Sequence, residues 1–461
     1  MRGNTGTTGP LKVTPLNPRY FTDGTGRSVY LTGSHTWGNF KDMGKIDPPP
    51  LFDFEKYLDF LQKHNHNFIR LWTWELTAYT YDGELIYTRP FPWRRTGPGE
   101  ALDGKPKFDL EKFDQAFFDR LRSRGVAAGR RGIYVSIMLF EGHGLHSSLT
   151  PWCWDGHPFN VKNNINGIDG DRDGDGRGLE IQSLKDPAIT ALQEAYVRKV
   201  IDAVNDLDNV LYEIANESGT YSTDWQYHLI RYIKGYEGGK PRQHPVGMTF
   251  QWSERYRGTN EILFNSPADW ISPSPDGGYQ DSPPASDGRK VILSDTDHLW
   301  GIGGNLAWVW KSFCRGMNVL FMDPYHEARK DGAQGERKVT WTDHLTDTPE
   351  LDARWDPIRR NMGYALSYAK RMDLTTTVPS DDLSSTKYCI ANKGKEYLIY
   401  SPDGGDVTVD LTGASGKLDV EWLVPSTGKT FSGGTASGGG PRKFTAPFSG
   451  DAVLYVFARG R

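Results

Sequence analysis

Cysteine is scarce in this chain. Its three residues, Cys153, Cys314 and Cys389, are odd in number and far apart, so they form neither a disulfide framework nor a metal-binding motif. No run of eighteen apolar residues occurs, which leaves nothing to span a membrane as a helix and makes a membrane partner unexpected. Neither sign of charge prevails: 54 Lys and Arg face 58 Asp and Glu, a net charge of −4. That balance argues against an electrostatic binder of nucleic acid. The opening residues, 1–9, lack the apolar stretch of a secretion signal, so the protein is either cytoplasmic or carries a leader already trimmed.

Aromatic residues are plentiful, at 13% with 15 Trp and 22 Tyr, and so is Gly at 52. Sugar-processing proteins have this composition because aromatic faces stack on pyranose rings; a large core with many loops has it too. The 461 residues suit a barrel of roughly 250–400 residues with an appended module.

The stretch 208–218 organises the chain. An amphipathic helix with Ile189, Leu192, Tyr196, Val197, Val200 and Val204 on one face starts at Asp186-Pro187. A turn and a short apolar strand, 210–214, follow, and Asn216 and Glu217 stand where that strand ends. Seven more strands are predicted at 32–37, 67–75, 133–141, 245–250, 270–272, 290–295 and 318–322, alternating with helices or loops. The reading is an α/β fold, a (β/α)8 barrel over residues 19–378, preceded by a flexible lead-in at 1–18. A helix is expected at about 110–122, and an aromatic insertion at 76–108 is expected to wall the active site. From 379 to 461, short strands separated by Asp-Gly, Thr-Gly and a Gly-rich stretch predict a small antiparallel β-sandwich.

The predicted strand ends gather His35, Trp37, Arg70, Trp74, Glu75, Glu141, His143, Asn216, Glu217, Trp252, Asp295, Asp297, His298, Trp300, Asp323 and Tyr325. Lys is missing from this set, which weakens Schiff-base chemistry. Arg70 inside an apolar run demands a carboxylate partner. His64 and His66 precede their strand, so their spacing carries little weight as a metal site. Carboxylates among aromatics favour glycoside hydrolysis, in which one acid protonates the leaving oxygen and a second attacks the anomeric carbon or activates water.

Asn216-Glu217 ending strand four, an acid ending strand seven, and Asn67-x-x-Arg70 on strand two resemble the clan A glycoside hydrolases. The resemblance implies Glu217 as acid/base, Asn216 as a contact to the sugar, Arg70 as support for the nucleophile, and the remaining strand-end residues as substrate-binding. The runs 294–301 and 321–325, with the terminal sandwich, are similar to a bacterial apiosidase-like and cellulase-like barrel family whose terminal domain is labelled collagen-binding. That resemblance implies a secreted or periplasmic monomer acting on a plant- or microbe-derived oligosaccharide or polysaccharide, with no organic cofactor. The clan carries Glu at strand seven; here Asp295 stands there, with Asp297 two residues on and on the same face. Retaining enzymes hold the two carboxyls about 5–5.5 Å apart and inverting ones about 6.5–9.5 Å. Retention is the expectation, with Asp295 preferred as nucleophile and Asp297 left as the alternative. A rival from another class is a non-catalytic carbohydrate- or matrix-binding surface protein that keeps the barrel as scaffold.

A separate signal lies after strand three. Asp169, Asp171, Asp173 and Asp175, with Gly174 and Glu180, fit a D-x-D-x-D-G-x5-E loop, whose hard oxygen ligands suit Ca2+; a solvated acidic turn is the alternative.

Overall fold

The structure, a computed structural model, describes residues 7–73, 75–81, 84–146, 153–325, 329–331, 336–338 and 353–458. Eight parallel strands form the barrel: Thr32–His35, Phe68–Trp72, Tyr134–Glu141, Val210–Asn216, Val246–Thr249, Trp270–Ser272, Val291–Asp295 and Asn318–Met322. Each pairs with its neighbour in chain order from the second to the eighth, and the eighth pairs with the first. At the seam between strands one and two, Asn67 closes the ring. Its backbone N–H donates to the Thr32 carbonyl at 2.9 Å, its Oδ1 accepts from Thr32 N at 2.9 Å and its Nδ2 donates to the Tyr30 carbonyl at 2.8 Å. Gly33 is needed there, because a Cβ would sit 2.0 Å from the Phe68 carbonyl oxygen.

The strands are buried along their whole length, as parallel strands covered on both faces must be. Ile69 and Leu71 pack outward with Tyr212 and Ile214 against the helices, while Phe68 and Leu211 point inward. The alternation therefore sends Arg70 and Glu213 into the barrel as well. Helices Phe54–Lys63 and Pro187–Val204 begin where Asp53 and Asp186 accept from the N–H groups of Lys56 and Ala188.

Three expectations are corrected. Residues 7–18 are no loose lead-in: Lys12–Val13 pairs with Phe21–Thr22, and Leu11, 1% exposed, plugs the barrel floor with Phe21, Phe68 and Trp270. Burying that leucine is worth about 1.5–3 kcal/mol. The helix expected at 110–122 runs Gln115–Arg130, because Pro106–Phe113 is a strand paired with Trp93–Glu100 and Asp114 caps the helix. The insertion is thus largely β-structure. Its Trp93 is buried against Phe159 and Tyr196 rather than lining an open wall.

After the last barrel helix, Asp356–Arg371, the sandwich begins with Val378–Pro379. Its main sheet has six strands, and a two-stranded sheet, Asp406–Asp410 with Pro441–Thr445, covers one face. Cys389, Ala391, Tyr397 and Ile399 point to that cover, while Ile390, Leu398 and Tyr400 join the barrel's own core. Arg371 pairs with Glu421 across the junction at 2.6 Å.

Candidate active site

Strand four delivers Asn216 and then turns sharply, with Glu217 at a φ of 49°. A left-handed backbone at a non-Gly residue costs ~1–3 kcal/mol and persists only where its surroundings hold it. Burial drives the Glu217 carboxyl well above its ordinary range, and the charges of Asp297 and Glu141 push it further. A carboxyl so placed gives up its proton less readily than an exposed one.

Arg70 is the hub beneath it. Its Nε donates to Glu213 Oε2 at 2.9 Å and its Nη2 to Glu213 Oε1 at 2.5 Å and to Asn216 Oδ1 at 2.6 Å. Its Nη1 serves Asp297 Oδ2 at 2.8 Å and Asp295 Oδ2 at 3.1 Å. The partner that a buried arginine requires is therefore Glu213, which lies in the middle of strand four and which strand-end reasoning missed. The available signal was a charged residue inside an apolar strand, the same signal that singled out Arg70.

The two strand-seven acids sit differently. Asp295 is 0% exposed. Its oxygens accept from His35 Nε2 at 2.8 and 3.0 Å, from Arg70 and, at 3.0 Å, from the backbone N–H of Asp297. Burial opposes its ionisation, but His35 and Arg70 override that penalty and hold its carboxyl well below the usual range. Asp297 is 7% exposed and is tied to Arg70 through Oδ2. The tautomers follow from the partners. Trp72 Nε1 can only donate, so His35 Nδ1 accepts at 3.1 Å and its proton is on Nε2. Asn216 Oδ1 already accepts from Arg70, so His298 Nε2 is the donor to it at 3.3 Å and Nδ1 accepts from Ser272 Oγ at 2.7 Å. Burial pushes His298 down to about 4, consistent with a neutral ring. Asn216 Nδ2 is left without a partner among the described residues.

Near Glu217, Trp252 is half-buried and stacks on His143 with ring centroids 5.7 Å apart, and Tyr79 Oη meets His143 Nδ1 at 2.6 Å. Burial takes His143 down to about 4. Trp300 is half-buried with its edge on Trp308.

Several predicted contacts face elsewhere. Trp37 is fully buried among Met43, Trp72 and Leu76 and has no face to offer a sugar. Glu75 lies three residues beyond the end of strand two; burial lifts its carboxyl to about 8, the charge of buried Lys41 offsets this only in part, and its Oε2 finds no partner among the described residues. Glu141, also lifted to about 8 by burial, spends its oxygens on the N–H groups of His143 and Gly144 at 2.7 and 2.8 Å. Asp323 forms a fully buried two-point pair with Arg359 of the last barrel helix, and Tyr325 packs on Tyr57 and Phe60. These two stand at a strand tip but turn away from the site. Trp74 lies outside the described residues. His66 is structural, accepting from Ser34 N at 3.2 Å and donating to the Arg359 carbonyl at 2.9 Å.

In the acidic loop, Asp171, Asp173 and Glu180 each bring one oxygen within 4.8 Å of the others. Asp169 and Asp175 instead accept from the backbone N–H groups of Asp171 and Arg177. Asp171 Oδ1 is buried without a partner among the described residues. The donor set is all oxygen and suits a hard cation.

Comparison with known proteins adds the following. Residues 375–456 match a family described as "Putative collagen-binding domain of a collagenase", and residues 83–251 match one described as "Domain of unknown function (DUF6298)". No curated protein matches the chain. A solved structure named "Glycoside hydrolase" aligns over 98% of both chains with 15% identity and a TM-score of 0.61. A glycoside hydrolase family 5 protein from Bacteroides vulgatus aligns over 98% of this chain and 93% of its own, with 14% identity and a TM-score of 0.63. Among the described residues no helix is long and apolar enough to cross a membrane. Barrel and C-terminal sandwich together, the chain has the fold of these glycoside hydrolases.

Proposed function

We propose that the protein is a glycoside hydrolase, with Glu217 as its general acid and base and Asp297 as its nucleophile. The observation that carries this reading is the pairing of two unlike carboxyls. Burial and the charge of Asp297 raise the Glu217 carboxyl, while Asp297 is ion-paired to Arg70. A carboxyl raised by burial beside one that is ion-paired to an arginine suits the acid and nucleophile roles.

In the first step Asp297 attacks the anomeric carbon and forms a glycosyl ester. The bond to the leaving oxygen breaks, and that oxygen takes the proton of Glu217. In the second, the Glu217 carboxylate removes a proton from water, whose oxygen attacks the same carbon and frees Asp297 with overall retention. Asn216 Nδ2 donates to a sugar hydroxyl, and Trp252 with His143 offers a stacking surface. Asp295, preferred from the sequence as nucleophile, becomes in this proposal the support that fixes the turn to Asp297, because its oxygens are already engaged.

The substrate is an oligosaccharide or polysaccharide, and the protein works as a secreted or periplasmic monomer; the match of residues 375–456 to a collagen-binding family supports that location. A panel of aryl glycosides tests the function. Wild type should release aglycone from at least one sugar, and Glu217→Gln should lose turnover by about 100-fold or more on poor leaving groups. Unchanged turnover in the folded variant would overturn the assignment of Glu217.

A further inference from the structure

Glu217 must leave strand four in a backbone conformation that its own side chain disfavours, with φ at 49°. Two neighbours from the end of strand three hold it there. Gly142 packs so closely that a Cβ would lie 2.5 Å from Ser218 Oγ and 2.7 Å from Ser218 N, and its N–H donates to the Asn216 carbonyl at 2.8 Å. His146 brings Nε2 to 2.6 Å from the main-chain carbonyl of Glu217. A carbonyl only accepts, so Nε2 carries the proton.

His146 is itself fixed. It ends the short helix His143–His146, whose first N–H groups are bound by the Glu141 carboxyl. Trp252 packs on its ring at 5.3 Å as well as on His143. An unbroken set of contacts thus runs from the tip of strand three to the carbonyl of the acid.

We propose that His146 is a positioning residue: by donating to the Glu217 carbonyl it holds the left-handed turn that aims the Glu217 carboxyl at the leaving-group oxygen. This rests on the glycosidase reading above. Misplacing a catalytic group by about an ångström is enough to cost about 100-fold in rate.

Two substitutions separate the donor from the ring. His146→Phe keeps an aromatic ring against Trp252 and removes the donor; His146→Gln removes the ring and keeps an N–H. For His146→Phe, kcat on a substrate with a poor leaving group should fall about 10- to 100-fold with KM little changed. On a dinitrophenyl glycoside, which needs no proton to leave, formation of the glycosyl-enzyme should fall less than about threefold, and His146→Gln should recover most of the loss. Equal losses on both substrates, or a Phe variant that matches wild type, would overturn the proposal. Carbon-13 titration of Glu217, assigned with Glu217→Gln, gives a readout that needs no turnover. In His146→Phe the Glu217 midpoint should move down toward the ordinary carboxylate range, and an unmoved midpoint sinks the clamp. If wild type cleaves no glycoside at all while this midpoint moves, the glycosidase reading fails and the clamp stands.

Discussion

Arg70 and Glu213 form a two-point ion pair inside the barrel, Nε to Oε2 at 2.9 Å and Nη2 to Oε1 at 2.5 Å, on side chains with 1% and 0% exposure. Strand two and strand four are separated by strand three, so the pair crosses the interior instead of linking adjacent strands. Removing Glu213 takes one of three carboxylates from a buried guanidinium and leaves its Nε without that partner. Glu213→Ala should therefore destabilise the protein by about 1–3 kcal/mol in urea unfolding. The freed guanidinium should also draw on Asn216 and Asp297, so turnover falls in the folded fraction. Stability within about 0.5 kcal/mol of wild type would show the pair to be dispensable.

The two strand-seven acids make opposite predictions. Asp297→Ala should abolish glycosyl-enzyme formation, with azide restoring turnover through the vacated position. Asp295→Asn should retain a measurable fraction of activity and lose thermal stability, because it weakens contacts to His35 and Arg70. A fluoro-sugar inhibitor followed by peptide mapping checks this directly. Label on Asp295 reverses the roles, and an inverted product anomer would make Asp297 a base.

The pH profile has a defined sign. Activity needs Glu217 protonated, and its carboxyl is raised by burial and then by Asp297 and Glu141. The basic limb of kcat/KM should thus lie above the ordinary glutamate value of 4.5, and turnover should fall as pH rises through the shifted value. A limb at or below 4.5 contradicts the electrostatic account.

Calcium should bind through Asp171, Asp173 and Glu180. Binding to the folded state alone stabilises by about 2.7 kcal/mol at a hundredfold excess over Kd. Chelation should then lower Tm, and calcium should restore it. Glu180 lies in the 3-10 turn Leu179–Gln182, where Gln182 Nε2 donates to the Glu141 carbonyl at 2.9 Å, so chelation should disturb activity as well as stability. A Tm indifferent to both chelator and calcium, with no metal by elemental analysis, counts against the site.

All eight strands and the Asn216-Glu217 turn were legible because burial on both faces writes a continuous apolar run, and polar residues at its end interrupt it plainly. Direction at a strand tip was not. Asp323 and Tyr325 end strand eight as Asp295 ends strand seven, yet they turn toward Arg359 and Tyr57, partners that no local pattern connects to them. Residues 7–18 read as a loose, polar leader for a similar reason. What orders them is distant: Asn17 Nδ2 donates to the carbonyls of Leu374 and Thr377 at 2.6 and 2.8 Å. The insertion at 76–108 divides in its role: Tyr79 reaches His143 beside Glu217, whereas Trp93 packs on Tyr196, and composition does not distinguish the two. Glu213 lies in the middle of its strand, and its role depends on Arg70 two strands away, which no local pattern connects to it.

The docking of the sandwich limits what it can do. Its six-stranded sheet is covered twice, on one side by the barrel through Ile390, Leu398 and Tyr400 and on the other by the two-stranded sheet. Neither broad face is free to receive a partner. What remains open is the outward side of Pro441–Thr445 and the solvent-exposed strand Thr430–Ser437 at the sheet's edge. A ligand held there would be presented to the barrel at one distance and one angle, as on a fixed bracket rather than at the end of a tether.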